Sequence, residues 1–331
     1  MHNIGIVGAG SFGIALAHLL TDNGHQVSIW TRSPERVRLL SEAHGDPDKL
    51  PGVILQPEVR FTCDMGEAIE DADAVVLVIP SVYVRETARL MKPHFPEGAL
   101  LVDCAKGLEE STLSPLSDVI REELAEKDPR IVVLSGPSHA EEVGRGVPTA
   151  IVAASNDQNA ARSVQELFMN PTFRVYTGSD MRGVELGGAL KNVIALAAGV
   201  ADGLGYGDNT KAAMITRGIA EITRLGVALG AEAETFSGLT GIGDLIVTCA
   251  SMHSRNRRAG IFIGQGMSKE EACNEVKMVV EGVNSAKGAY LLAQKYHVEM
   301  PIITEVYRVL FENKRPADAV ADLMLRDKKA E

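Results

Sequence analysis

Lys191 is the only charged residue between Glu185 and Asp202. On a helix its neighbours three and four positions away are Gly187, Gly188, Ile194 and Ala195. That face is small and apolar, so another element or a ligand can come close to it. A lysine held there is desolvated unless an anion meets it, and desolvation lowers an amine's pKa toward neutrality. Such an amine can act as a general acid or base near pH 7. The alternative is a side chain that snorkels to solvent along its stem. Asn192 adds an amide one step round the helix, and Asp244, after Gly241-Ile242-Gly243, can hold a substrate hydroxyl or orient Lys191.

A second cluster follows, Ser254-Arg255-Asn256-Arg257-Arg258. Ser254 reads as an N-cap, with a helix running from Arg255 toward Gly264. Cations in the first turn oppose the helix dipole, at about 0.3–1 kcal/mol each. An anion would resolve the conflict: free amides, a hydroxyl, an amide and an Arg fork suit a phosphate. The competing reading leaves the arginines to solvent or to distant carboxylates, and fits Arg257 and Arg258 better than Arg255.

A third pattern, Gly8-Ala9-Gly10-Ser11-Phe12-Gly13, follows the apolar run Ile4–Val7 and opens a helix. In that setting a G-x-G-x-x-G binds a dinucleotide. Gly8 allows the tight turn, Gly10 lets the backbone approach the pyrophosphate, and Gly13 lets helix and strand pack closely. A ligand-free glycine turn is the alternative. An acidic residue after the next strand, Val27–Trp30, would favour NAD; the sequence has Thr31-Arg32-Ser33 instead. Arg32 can stack on adenine and pair with a 2′-phosphate, and Ser33 can donate to it, so NADP is expected to be accepted. Arg32 as a solvated loop charge is the other possibility.

These groups need scaffolds. Apolar runs at Ile4–Val7, Val27–Trp30, Ala74–Ile79, Leu100–Asp103, Ile131–Leu134 and Ala150–Ala153 alternate with amphipathic stretches at Phe12–Asn23, Arg85–Lys92 and Ser114–Glu126. Strands apolar on both faces and separated by helices predict a mostly parallel, doubly covered sheet of Rossmann type. One more strand is expected at Phe173–Tyr176. Beyond residue 180 the pattern is helical: Val184–Val200, Lys211–Leu229, Ile261–Gln265, Lys269–Glu275, Ser285–Tyr296 and Ile302–Glu312. The expectation is an α/β domain, residues 1–180, followed by an all-helical domain, residues 181–331. The tail Arg326–Glu331 is expected to fray.

Composition sets outer bounds. The 331 residues suggest about two domains at ~150 residues each. A net charge of −11 argues against a general nucleic-acid or membrane-surface binder. Cys63, Cys104, Cys249 and Cys273 form no Cys-x-x-Cys and have no histidine cluster beside them, so no metal site is expected. No apolar run reaches the ~18–20 residues that span a bilayer, and the chain opens into a strand pattern rather than a leader, so no membrane insertion and a cytoplasmic location are expected.

Taken together, Gly8–Gly13, Lys106-Gly107, Gly136-Pro137-Ser138, Leu190-Lys191-Asn192, Gly241–Asp244, Ser254-Arg255-Asn256 and Glu281-Gly282 resemble the bacterial NAD(P)-dependent glycerol-3-phosphate dehydrogenases, from the N-terminus to about residue 315. The resemblance implies reversible reduction of dihydroxyacetone phosphate to sn-glycerol 3-phosphate, the backbone precursor of phospholipids. It implies NAD or NADP as cofactor, a small phosphorylated substrate and a possible homo-oligomer. It makes Lys191 the proton donor and acceptor. It puts Lys106, Gly136, Ser138, Asp244, Ser254, Arg255 and Asn256 at substrate, with Lys106 and Arg255 also near the cofactor. Ser11, Phe12, Arg32, Ala140, Val279 and Glu281 fall at cofactor positions. Two residues depart from the pattern: Phe12 stands where Trp is common, and His139 where Phe is usual. His139 is also a rival acid/base, although a loop packing role suits it better. Two other readings stay open: a Rossmann-plus-helical reductase of a 3-hydroxy acid or ketopantoate, which would offer Arg255 a carboxylate, and a non-catalytic NAD(P) sensor.

Overall fold

The computed structural model describes residues 1–328. They group into two compact units: Met1–Lys106 with Ser114–Val184, and Gly107–Leu113 with the chain from Glu185 onward.

The first unit is built on β1 (Asn3–Val7), β2 (Gln26–Trp30), β3 (Arg60–Thr62), β4 (Ala74–Leu77), β5 (Leu100–Asp103), β6 (Arg130–Ser135), β7 (Thr149–Ala154) and β8 (Phe173–Gly178). Their order is β3-β2-β1-β4-β5-β6-β7-β8, and every pairing is parallel except β6 with β7. The helices are α1 (Ser11–Asp22), α2 (Pro34–Ala43), α3 (Met65–Ile69), α4 (Val84–Met91), α5 (Leu116–Glu123), α6 (Ala140–Val143) and α7 (Gln158–Phe168). Alternate strand residues feed two cores. Ile4, Ile6, Ala74 and Val76 pack with Leu16 and Leu20 of α1 and with Val164 and Phe168 of α7. Val7, Val75 and Leu77 pack with Ile69 of α3, Met91 of α4 and Ile120 of α5. Burial on both faces is why these strands read as unbroken apolar runs. The chain leaves β1 toward β2 on one side and β4 lies on the other, so the sheet's switch point is at the carboxyl end of β1.

The second unit contains α8 (Met181–Gly203), α9 (Asp208–Ala228), α10 (Ala233–Phe236), α11 (Asp244–Ala250), α12 (Arg255–Gly264), α13 (Lys269–Val276), α14 (Glu281–Lys295), α15 (Pro301–Phe311) and α16 (Pro316–Met324), with no strand among its described residues. Only α8 is long and apolar enough to cross a bilayer among the described residues, and that stretch is wholly buried inside the protein. It is the axis of the unit, and its neighbours meet it at glycines. A β-carbon at Gly199 or Gly203 would collide with the carbonyl oxygens of Arg257 or Ile261 on α12. One at Gly260 or Gly264 would collide with those of Leu196 or Val200 on α8. Two G-x-x-x-G faces thus interlock backbone to backbone. Gly187 meets Thr240 in the π-turn Leu239–Gly243, and Gly282 of α14 meets Asn192. Six of the 32 glycines thus serve as packing surface along one helix.

α15 is capped from a distance. Glu221 of α9 accepts from Ile302 N at 2.8 Å and Ile303 N at 3.2 Å, satisfying amides at the helix start. Burial pushes this carboxyl up to about 7, against the pull of those amides.

Several elements carry no strong sequence signal. β3 is short and not fully buried, and α2 buries only Leu40. The small residues Ala160 and Ala161 contribute to the buried face of α7. The helix expected over Ile261–Gln265 is the end of one that begins at Arg255. In the tail expected to fray, Arg326–Glu331, Arg326 pairs with Glu299, and residues 329–331 lie outside the described residues.

Candidate active site

At the switch point Gly8 adopts φ +126°, a conformation that favours glycine, and donates its amide to Trp30 O at 3.1 Å. A β-carbon there would strike Val78, and one at Gly13 would strike the Gly8 carbonyl. Both glycines are thus required by the protein itself. Gly10 differs: it is the N-cap of α1, no side chain caps it, and a β-carbon would meet nothing within 4 Å. Its smallness has no protein partner to explain it. Open space over uncapped helix amides fits a dinucleotide pyrophosphate. Beside it, Ser11 Oγ donates to Lys49 O at 2.9 Å, and Phe12 is half-buried against the core.

After β2, exposed Arg32 lies over the Tyr83 ring, 4.8 Å from its centroid. Ser33 caps α2 by accepting from Arg36 N at 3.2 Å, a role that leaves its hydroxyl proton for another acceptor. After β5 and β6 three expected residues meet: Lys106 Nζ and Ser138 Oγ each donate to Gly136 O at 3.0 Å. Ala140 is buried at the start of α6, with His139 as that helix's N-cap.

In the helical unit Lys191 is 6% exposed and does not snorkel. Its Nζ donates to Asp244 Oδ1 at 2.6 Å and to Thr248 Oγ1 at 2.7 Å. Thr248 gives its own proton to Asp244 O at 2.5 Å, so its oxygen is oriented to accept from the amine. The carboxylate compensates the ammonium charge and fixes the direction of the amine. Thr248 escaped the sequence reading, although it stands four residues after Asp244 on the same helix. Neither buried thiol, Cys249 in this unit nor Cys104 in the first, is a ready nucleophile. Burial pushes Cys249 up to about 12, and burial with Asp103 beside it pushes Cys104 well up.

The α12 terminus forms as its sequence predicts. Ser254 caps it, accepting from Arg257 N at 3.2 Å, and no acid lies in the first turn. Arg257 grips Asp202, with Nε to Oδ2 at 2.8 Å. Arg255 is half-buried. Asn256 is buried and doubly held, donating to Asn192 Oδ1 at 2.9 Å and accepting from Gly282 N at 2.8 Å. Half-buried Val279 and Glu281 lead into α14, and Glu281 starts it with a charge its dipole favours. Among the described residues no group of His, Cys, Asp or Glu could hold a metal.

A doubly wound sheet with a dinucleotide turn at its switch point, joined in one chain to a helical unit holding a buried Lys–carboxylate pair, defines a nicotinamide-dependent oxidoreductase of the Rossmann-plus-helical class. The model of the NAD-dependent glycerol-3-phosphate dehydrogenase N-terminus matches residues 3–161, and that of the C-terminus residues 180–321. Glycerol-3-phosphate dehydrogenase [NAD(P)+] of Agathobacter rectalis is 58% identical over 331 residues, covering 100% of this chain and 98% of its own. The Fusobacterium nucleatum protein of that name is 55% identical, covering 100% and 99%. The crystal structure of glycerol-3-phosphate dehydrogenase from Coxiella burnetii superposes with a TM-score of 0.94 at 37% identity, over 98% of this chain and 99% of that one. The chain belongs to the NAD(P)-dependent glycerol-3-phosphate dehydrogenase family.

Proposed function

We propose that this protein reduces dihydroxyacetone phosphate to sn-glycerol 3-phosphate, reversibly, with NADH or NADPH. Residues 1–180 bind the cofactor and residues 181–331 carry substrate binding and catalysis. The product is the backbone of glycerophospholipids, and the enzyme works in the cytoplasm. The observation that carries the reading is the Lys191–Asp244–Thr248 cluster, a desolvated, oriented amine in a family that interconverts an alcohol and a ketone.

NAD(P)H supplies a hydride for the substrate C2 carbonyl. The chain does the rest. The Gly8–Gly13 turn seats the pyrophosphate, with Ser11, Phe12, Arg32, Ser33, Ala140, Val279 and Glu281 along the cofactor. Negative charge develops on the C2 oxygen as the hydride arrives. Lys191 stabilises it and gives up a proton from Nζ, while Asp244 and Thr248 fix the amine's direction. Lys106, backed by Gly136 and Ser138, adds a second positive group. Ser254, Arg255 and Asn256 hold the phosphate, so binding remote from the reacting carbon positions it.

The test is a spectrophotometric assay of dihydroxyacetone phosphate reduction with NADH and NADPH side by side, and ketopantoate and 3-oxo acids as competitors. Turnover confined to the phosphorylated ketone is expected. Preference for a keto acid, or cofactor binding without turnover, would refute the reading.

A further inference from the structure

A chain of hydrogen bonds with one fixed direction runs through the core of the helical unit. It starts at Gly282 N, a backbone donor that cannot accept. The Asn256 atom facing it is therefore Oδ1, at 2.8 Å. Nδ2 of Asn256 then faces Asn192, which must present Oδ1, at 2.9 Å. The Nδ2 of Asn192 in turn donates to Gly188 O at 3.3 Å, a backbone acceptor that cannot donate. The two backbone ends leave neither amide free to flip. Asn192 and Asn256 are both buried, so a flipped amide would set donor against donor without water to relieve it. Each bond also polarises the next.

From this relay we infer that Asn192 is a positioning residue of the anion site. It fixes the side-chain amide of Asn256 at the start of α12, so that the second N–H on Asn256 Nδ2 has one direction in which to meet a phosphate oxygen. Asn192 adjoins Lys191 in sequence, yet its side-chain amide bonds to Gly188 and Asn256, within the relay. Gly282 is the anchor. A β-carbon there would lie 2.5 Å from Asn192 O and 3.1 Å from Asn256 Oδ1, so only glycine lets α14 bring its amide this close. The inference rests on the proposed function for the identity of the anion, not for the relay itself.

The experiment is a mutant cycle on the full-length protein: Asn192→Leu, Asn256→Ala and the double variant, with Asn192→Ser, whose hydroxyl can both accept and donate. Michaelis parameters for dihydroxyacetone phosphate at saturating NADPH are measured, and inorganic phosphate is titrated calorimetrically. Asn192→Leu is expected to raise KM for the phosphorylated substrate and Kd for phosphate ~10-fold, the worth of one buried hydrogen bond. The kcat–pH profile and the KM for NADPH stay in place. The double variant is no worse than Asn256→Ala alone, because the residues act as a unit. Asn192→Ser recovers part of the KM, and Asn192→Ala stands in for the leucine variant should that one fail to fold. A fall in kcat with KM unchanged, a moved pH profile, or losses that multiply in the double variant would overturn the inference. If the wild type does not turn over the ketone, the functional reading fails. The phosphate titration still decides the relay: an affinity indifferent to Asn192 ends it.

Discussion

Lys191 and Asp244 stand 53 residues apart in the chain and 2.6 Å apart in the fold, both almost fully buried. An ion pair so deep costs several kcal/mol in lost hydration, which its attraction and hydrogen bonds must offset. A packing role alone would be served as well by two apolar residues. The pair holds an amine out of water with its direction fixed, which is what the proposed proton transfer requires.

Replacing Lys191 by Met should therefore lower kcat by about 10²–10⁴-fold, the usual worth of a positioned acid/base. It should also strand the Asp244 carboxylate and cost about 3–5 kcal/mol of stability. Adding Asp244→Asn should restore the melting temperature and leave turnover lost, while NADPH titration shows the cofactor still bound. Near-normal kcat in Lys191→Met would remove Lys191 from the chemistry.

Arg255→Ala should raise KM for dihydroxyacetone phosphate by about 10–150-fold, a charge-assisted hydrogen bond being worth about 1.5–3 kcal/mol. Arg257→Ala, which breaks the Asp202 pair instead, should lower stability more than it changes KM. Steady-state kinetics beside urea denaturation separate the two arginines; equal KM effects would contradict the assignment.

The glycine turn offers a comparison of ligand and packing roles within six residues. Gly10→Ala should leave stability within about 1 kcal/mol, since its β-carbon enters open space at an allowed φ of −84°. Its Kd for NADPH should rise ~10-fold or more, about 1.4 kcal/mol. Gly13→Ala should cost about 1–3 kcal/mol of stability with no ligand present, because the Gly8 carbonyl blocks it. Unchanged cofactor affinity in Gly10→Ala would mean that the turn is only a turn.

Glu221 supplies a pH signature of stability. Its folded-state pKa, about 7, lies above its ordinary 4.5, so the folded protein binds the proton more tightly. Its contribution is complete below pH ~4.5 and is lost as pH rises to ~7, about 3 kcal/mol in all. Glu221→Gln carries a constant penalty, since an amide NH₂ then faces Ile303 N–H. Measured against that variant by urea unfolding, the wild type should lose relative stability between pH 5 and 8. A difference independent of pH would show that the carboxyl titrates normally.

Local chemistry was legible in the sequence because it acts over a few residues. Strands buried on both faces are apolar throughout, so most of the sheet could be read from composition. The Gly8–Gly13 turn is recognisable because the strand before it and the helix after it fall in register, and Ser254 because a cap bonds within three residues. The charge conflict at Arg255 was visible for the same reason. Lys191 stood out by the apolar neighbourhood that helical periodicity gives it.

What the fold alone decided are the partnerships over long sequence separations, to which periodicity is blind. Spacing could offer Asp244 two roles, and only packing α11 against α8 brought it to Lys191. Gly187 does admit a close neighbour, Thr240, but the contact of Gly199 and Gly203 with Gly260 and Gly264 went unread. A glycine in a helix looks alike whether it faces solvent, a ligand or another backbone. The same holds for Glu221, whose exposed-looking sequence setting conceals a helix cap 81 residues away. A side chain's partner and its solvation are properties of the assembled core, and for Lys191 those two properties make the difference between a surface charge and a buried, directed amine.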